Sequence, residues 1–327
     1  MKTKTLTLKQ MAKADYLISL IKSHYDSEPE RFTTLALQIA AYEAKLGHSL
    51  VANEIKSFVD KAKENKFKTK TFTGDFQGLL TESPAFDNLS DLIVSSDIRS
   101  KIDRVISEFV QRDKLLKHNL QNRRKVLLSG PPGTGKTLTA SIIAHELRLP
   151  LYTILMDKMV TKFMGETSAK LRQVFDLIQQ KQGVYLFDEF DAIGGERSRD
   201  NDVGEMRRVL NSFLQFIERD NSGSLIIAVT NNQKLLDTAL FRRFDDVIAY
   251  KLPSAKEKRE LLQNRLSKYS KKINFTQLLP NINGLSHAEI TLACLDAVKE
   301  TILNEKVPMS NQLILKSIKD RNAAYHK

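Results

Sequence analysis

Cysteine is nearly missing from this chain of 327 residues: Cys294 is the single one, so no intramolecular disulfide can form. It lies in the apolar run Ile290-Thr291-Leu292-Ala293-Cys294-Leu295, which reads as a place for a buried small hydrophobe rather than a reactive thiol. The chain is long enough for two or three structural units with a substantial core, so neither a disulfide nor a metal staple is needed. Histidine is also sparse, and the six residues are scattered, so local spacing builds no metal site. His145-Glu146-Leu147-Arg148-Leu149 begins like a zinc-protease motif, but Leu149 stands where the second histidine is required. No nucleophilic protease constellation is visible. No apolar run approaches bilayer length, and no apolar block follows Lys2 and Lys4, so membrane spanning and secretion are disfavoured and the cytoplasm is the expected compartment. An internal repeat is missing too, which argues against two tandem modules.

Charge is not lacking. Lys and Arg total 51 against 39 Asp and Glu, a formal net charge of +12. The basic residues run along the whole length, with local concentrations at Lys61 to Lys70 and Lys251 to Lys272. Solvated helix faces and a linker account for most of them. Nucleic-acid binding is the minority reading, because aromatic residues do not interleave with the basic runs as a stacking platform requires.

Residues 10 to 65 show helical periodicity at Leu17, Leu20 and Ile21, then Phe32, Leu35, Ala36 and Ile39, then Val51, Ile55, Phe58, Val59 and Ala62. Three short amphipathic helices are expected, broken at Ser27-Glu28-Pro29-Glu30 and Gly47-His48-Ser49. Two readings of this bundle stand: a packing or oligomerisation appendage, and an adaptor for a partner or substrate. The lysine-rich stretch from Lys61 to Thr71 has no sustained apolar period and predicts a solvated linker over 66–82.

A different pattern begins near Phe86. A helix through Ile98, Ile102, Val105, Ile106 and Val110 leads into the short apolar run Val126 to Leu128. Apolar strands are then expected at Leu151 to Leu155, Val184 to Phe187 and Leu225 to Val229, separated by helices through Leu171 to Ile178 and Val209 to Ile217. Such alternation implies right-handed βαβ units and a parallel sheet, with the site at the strands' carboxyl ends. From about Lys256 the pattern is helical to the end.

The first strand runs into Gly130-Pro131-Pro132-Gly133-Thr134-Gly135-Lys136-Thr137-Leu138, and a helix follows. Strand, glycine-rich loop and helix start form the context of a phosphate-binding P-loop. Backbone N–H groups turn inward around phosphate oxygens, and the helix N-terminus adds donors and a favourable dipole. Lys136 is placed to reach the outer phosphates and the Thr137 hydroxyl to ligate Mg²⁺. A glycine-rich turn without ligand explains one or two glycines, but not Gly130, Gly135, Lys136 and Thr137 at this spacing.

Asp188 and Glu189 close the run Val184 to Phe187 in the manner of a Walker B element. Asp188 is expected to hold the metal through a water and Glu189 to act as the base for the attacking water. Asn231, after the next apolar strand, would put a neutral amide near the γ-phosphate; a lone asparagine there is otherwise a turn former.

Together these blocks resemble the AAA family of P-loop ATPases, over one module from about Pro84 to the C-terminal helices. The matching residues are Gly130 to Thr137, Asp188-Glu189-Phe190-Asp191-Ala192-Ile193, Glu205-Met206-Arg207-Arg208-Val209-Leu210-Asn211, Thr230-Asn231 and Leu236 to Asp245. The expected fold is α/β. A P-loop NTPase parallel sheet flanked by helices forms a large subdomain over 83–252, with a C-terminal helical lid over 253–327. A small N-terminal helical bundle covers 1–65. The resemblance implies ATP and Mg²⁺ as cofactors and a homo-oligomer, usually a hexameric ring. In it Arg242 and Arg243 reach the neighbouring subunit's nucleotide as arginine fingers; family members often have a proline-glycine pair between them, and here they are adjacent, which leaves the principal finger open. Gly284-Leu285-Ser286-His287-Ala288-Glu289-Ile290 resembles the start of the family's lid helix, where a small residue such as Ala288 marks the subgroup that mostly remodels proteins. His287 stands in place of a common glycine, with nucleotide contact and solvent exposure equally open. Lys162-Phe163-Met164-Gly165-Glu166 matches the substrate-gripping pore loop, with Phe163, Met164 and Gly165 facing a channel; the plain alternative is core packing at a helix start.

The function implied is ATP hydrolysis coupled to remodelling, unfolding or threading of a protein substrate or partner. Two rivals stand: a nucleic-acid-acting relative, motivated by the charge, and a regulatory ATPase switch for a separate effector. The N-terminal region also resembles that of bacterial AAA proteins encoded beside a subtilisin-like protease, which adds a separate protease to the candidate partners.

Overall fold

The computed structural model describes residues 18–23, 29–66, 70–71, 78–159, 166–190, 200–232, 241–269, 273–304 and 308–325. They fall into two compact units, Met1–Lys68 and Thr69–Lys327.

In the first unit, helices Pro29–Lys45 and Ser49–Lys66 pack against each other. Proline suits the first position of a helix, where its missing N–H is not needed. Gly47 ends that helix with φ 87°, and the N–H groups of Gly47 and His48 return to Ala44 O and Glu43 O at 3.1 and 3.0 Å. This left-handed cap requires a residue without a Cβ penalty. Ala36, Ala40, Ala52 and Val59 are buried, while Leu50, Val51 and Phe58 are exposed.

The second unit is built on a seven-stranded sheet of order β1-β2-β4-β5-β6-β3-β7. Its strands are β1 (Lys70–Thr71), β2 (Leu80–Ser83), β3 (Lys125–Ser129), β4 (Leu151–Ile154), β5 (Val184–Phe187), β6 (Leu225–Thr230) and β7 (Asp246–Ala249). From β4 to β7 every neighbouring pair is parallel, whereas β1 and β2 join antiparallel at one edge. Strands β5 and β6 are buried along their whole length, as parallel strands covered on both faces must be. Leu127, Tyr185 and Phe187 pack on one face with Phe175 and Phe213, from helices Glu166–Gln180 and Asp200–Arg219. Their strand neighbours Val126, Leu128, Val184 and Leu186 pack on the other, with Ile102, Val105, Ile142 and Ile143 from helices Ser96–Val110 and Lys136–Glu146.

Two features differ from the sequence pattern. Part of 66–82, which reads as a linker, is strand: Lys70 pairs with Glu82 and Thr71 with Thr81. Short, charged edge strands are how sheets avoid further pairing, so an edge strand and a solvated linker share one composition. Strand β7 was not anticipated either; it is four residues long and opens on an aspartate.

Helices Ala255–Leu266, Phe275–Leu278, His287–Leu303 and Asn311–Tyr325 close the chain around Leu262, Leu266, Leu285, Ile290, Ala293 and Ile314. Cys294 is buried among them as expected, and burial pushes its thiol up to about 12. Among the described residues, no helix is long and apolar enough to cross a membrane.

Candidate active site

Strand β3 ends at Ser129, and the next six residues wrap back onto the start of helix Lys136–Glu146. Gly130 has φ 143°, and a Cβ there would lie 2.4 Å from the backbone oxygen of Tyr250. Gly133 has φ 71°, and its Cβ would lie 2.5 Å from Ser286 Oγ on the C-terminal helical part. Glycine is therefore required twice, by backbone conformation and by close approach. The loop is braced from inside. Lys136 is buried and its ammonium donates to Gly130 O and Pro131 O, each at 2.8 Å, while Thr134 Oγ1 donates to Pro131 O at 2.8 Å. Beneath it, Tyr250 OH and Thr139 Oγ1 are 2.6 Å apart, and burial raises the Tyr250 phenol above its usual range.

Sheet register sets the remaining groups beside this loop. Ser129 faces Thr230 across β3 and β6, and Ala228 faces Phe187 across β6 and β5. The carboxyl ends of three adjacent strands therefore carry Gly130, Asn231 and Asp188 along one rim. Thr137 Oγ1 donates to Asp188 Oδ2 at 2.8 Å. A hydroxyl and a carboxylate are hard oxygen donors suited to a divalent cation such as Mg²⁺, which keeps water and phosphate oxygens as its other ligands. No group of three or more His, Cys, Asp or Glu gathers among the described residues.

Glu189 has φ 51°, the left-handed region, and is exposed. Both neighbours hold it there. Its own N–H donates to Asp188 Oδ1 at 2.9 Å, and Phe190 is buried against Phe213 with its N–H on Val229 O at 2.9 Å. A non-glycine residue held in this conformation costs free energy, so the turn is over-determined by its surroundings and the carboxylate is displayed at the rim. Asn231 is exposed on the same rim.

Arg242 and Arg243 are elsewhere. They precede β7, which runs parallel to β3 with Asp246 opposite Val126. Asp245 ties this entry to the opposite end of the P-loop strand: its Oδ2 accepts the N–H groups of Arg124 and Lys125, each at 2.9 Å, and its N–H donates to Lys125 O at 2.8 Å. Lys125 to Ser129 is about 13 Å of strand at 3.3 Å per residue. Both arginines are exposed, and Arg243 pairs with Glu218. The chain thus assembles the cradle, the hydroxyl–carboxylate pair and the rim carboxylate at one end of the sheet, and the two arginines at the other. Phe163, Met164 and Gly165 lie outside the described residues, as do 191–193 and 236–240 of the matching blocks.

Residues 126–252 match the ATPase family associated with various cellular activities (AAA). An uncharacterised AAA family ATPase of Sinorhizobium fredii is 32% identical over 233 residues, which is 71% of either chain. The chain belongs to the AAA family of ATPases. ATP hydrolysis is the activity that goes with this membership. The ATP-dependent zinc metalloprotease FtsH of Mycoplasmopsis synoviae is 31% identical over 232 residues, 68% of this chain and 33% of that protein. The proteasome-activating nucleotidase of Methanoregula boonei is 33% identical over 202 residues, 59% of this chain and 46% of that protein. The AAA chain thus spans a third to about half of these two relatives.

Sequence reasoning gave three contributors to this AAA site no role of their own. Tyr250 floors the loop, Asp245 anchors the arginine segment, and Ser286 caps helix His287–Leu303 while touching Gly133. Only the last had a local signal, the spacing Ser286-x-x-Glu289 of a capping box, in which Ser286 Oγ accepts the Glu289 N–H at 3.3 Å and Glu289 Oε2 accepts the Ser286 N–H at 2.7 Å. The Ala288 N–H donates to Gly133 O at 2.9 Å and joins the C-terminal helices to the glycine-rich loop.

Proposed function

We propose that this chain is an ATP- and Mg²⁺-dependent AAA ATPase that works as a homo-oligomeric ring and converts hydrolysis into remodelling, unfolding or threading of a protein. The observation that carries the reading is the separation of Arg242 and Arg243 from the loop 130–137 by the length of β3. Phosphoryl transfer from ATP to water is aided by a guanidinium that neutralises charge on the transferred group. This chain offers its arginines at the wrong end of its own sheet, so a second copy supplies them, and hydrolysis becomes coupled to assembly.

Each remaining residue has a role consistent with its place. The loop N–H groups and Lys136 bind the phosphates, Thr137 and Asp188 hold Mg²⁺, Glu189 takes the proton of the attacking water, and Asn231 orients that water. Bound Mg²⁺ would neutralise charge on the β and γ phosphates. A large subdomain over 83–252 and a lid over 253–327 fit the contact between Gly133 and Ser286. The protein substrate is supported by relatives named as a protease and as a proteasome-activating nucleotidase.

Mixed oligomers test the shared site. Lys136→Ala subunits and Arg242→Ala/Arg243→Ala subunits are each expected to be inactive alone. Mixed, they pair an intact loop with intact arginines at some interfaces, and phosphate release should return. Mixtures as silent as the separate variants would defeat the shared site. Stimulation of turnover by an unfolded protein, set against DNA and RNA at two salt concentrations, tests the substrate class, since nucleic-acid binding weakens steeply with salt.

A further inference from the structure

The two adjacent arginines share a turn whose backbone is fastened on both sides, yet their side chains are placed differently. Phe241 and Phe244 pack into the core that Phe213 and Ile217 enter from helix Asp200–Arg219, and the Asp245 carboxylate takes the N–H groups of Arg124 and Lys125. Arg242 and Arg243 stand exposed between these anchors. The Arg243 guanidinium donates to Glu218, in the last turn of the same helix. Arg242 has no hydrogen bond or ion pair among the described residues.

Glu218 stands on a fixed support. Two residues beyond it, Asp220 forms the buried pair with Arg124, just before β3. The end of the helix, the arginine turn and the entry to β3 are thus joined into one platform. The pair of Arg243 with Glu218 is about half exposed, with side chains 44% and 53% accessible, so its contribution to stability is small. Its consequence is one of direction. A guanidinium bonded to a carboxylate of its own subunit has to give up that bond before it can reach a phosphate, whereas Arg242 has none to give up. Released, Arg243 would also set a second, unbalanced positive charge beside Arg242, and like charges side by side repel.

We propose that Glu218 is a positioning residue for hydrolysis in the neighbouring subunit: it keeps Arg243 within its own subunit and so leaves Arg242 as the arginine that crosses. The proposal rests on the shared site read above. A fixed guanidinium acts on the transferred phosphoryl group without reorganising at the moment of reaction, which is where a rigid platform gains rate.

Mixed oligomers of the full chain test it. Loop-donating subunits carry Arg242→Ala/Arg243→Ala and arginine-donating subunits carry Lys136→Ala, so phosphate release comes only from mixed interfaces. Adding Arg242→Ala to the arginine donor should lower the rate at least about 10²-fold. Adding Arg243→Ala or Glu218→Ala there should lower kcat about threefold to tenfold with KM for ATP unchanged. The two together should do no more than either, since they remove one contact. Glu218→Gln, which keeps an oxygen to accept from the guanidinium, should recover part of the loss. Moved to the loop donor, Glu218→Ala should change nothing, whereas a residue needed only for folding or assembly would act from either subunit. Arg242→Lys, which keeps the charge without the planar fork, should also be slow and repeats the test should the alanine subunit fail to assemble. Undiminished turnover without Arg242, silence without Arg243, or an unchanged kcat without Glu218 each overturns the proposal. An equal loss from Glu218→Ala in either subunit overturns it too. Parent mixtures that release no phosphate remove the shared site itself, and this inference with it.

Discussion

Thr137 Oγ1 and Asp188 Oδ2 meet at 2.8 Å, although 51 residues separate them in sequence. The hydroxyl starts helix Lys136–Glu146 and the carboxylate ends β5, so the sheet rather than any local turn creates the pair. Asp188→Asn keeps the size and a carbonyl oxygen for the Thr137 hydroxyl but removes the charge a cation needs. Turnover should fall at least about 10²-fold, the usual scale for losing one preorganised electrostatic contact. Far-UV circular dichroism should not change. A Mg²⁺ titration of phosphate release that is the same for both proteins would refute the assignment.

Glu189 allows chemistry and backbone to be separated. Glu189→Gln should bind ATP yet release almost no phosphate. Glu189→Gly should be equally inactive but lose no stability. At φ 51° glycine relieves about 1 kcal/mol of strain, which offsets the added freedom of its unfolded chain. Normal turnover in the glutamine variant would remove the base from Glu189. Destabilisation of the glycine variant by several kcal/mol in urea would show that the side chain, not the turn, was holding the rim.

The loop and the rim were legible because both are short-range patterns at strand ends. Gly130 to Thr137 needs one strand and one helix start, and Asp188-Glu189 needs only the apolar run before it. Residues whose role depends on a distant partner left no such trace. Asp245 looks like a loop acid until β7 lies beside β3 and brings Arg124 and Lys125 to it. His287 opens a helix in a polar context, and only the docking of the lid on Gly133 buries it. The edge strands β1 and β2 were hidden by Lys70 and Glu82, whose pairing reads locally as a charged linker.

Arg124 and Asp220 form an ion pair with side chains 9% and 0% exposed. Asp220 also accepts the Ser222 N–H at 3.2 Å, so the carboxylate joins the segment before β6 to the start of β3. Asp220→Ala would leave a buried guanidinium without its counter-charge, which typically costs about 3–5 kcal/mol. Urea unfolding should show this loss. By contrast, Glu218→Ala breaks an exposed pair with Arg243 and should cost less than about 1 kcal/mol. Equal effects of the two substitutions would contradict the burial argument.

His287 should also leave a mark on stability against pH. Burial holds its folded pKa below the ordinary value of 6.5, so the unfolded chain binds a proton that the folded chain resists. Stability from this group is present in full above about pH 6.5 and is lost as pH falls from there toward the lowered folded value, because the unfolded state binds more protons in that window. The slope from one such group is at most about 1.4 kcal/mol per pH unit. The useful quantity is the difference between wild type and His287→Phe, measured by urea unfolding between pH 7.5 and 5. Removing the titrating ring should flatten the acid side of the profile, and the variant should gain on the wild type as pH falls. Parallel profiles would mean that His287 is not held neutral by the fold.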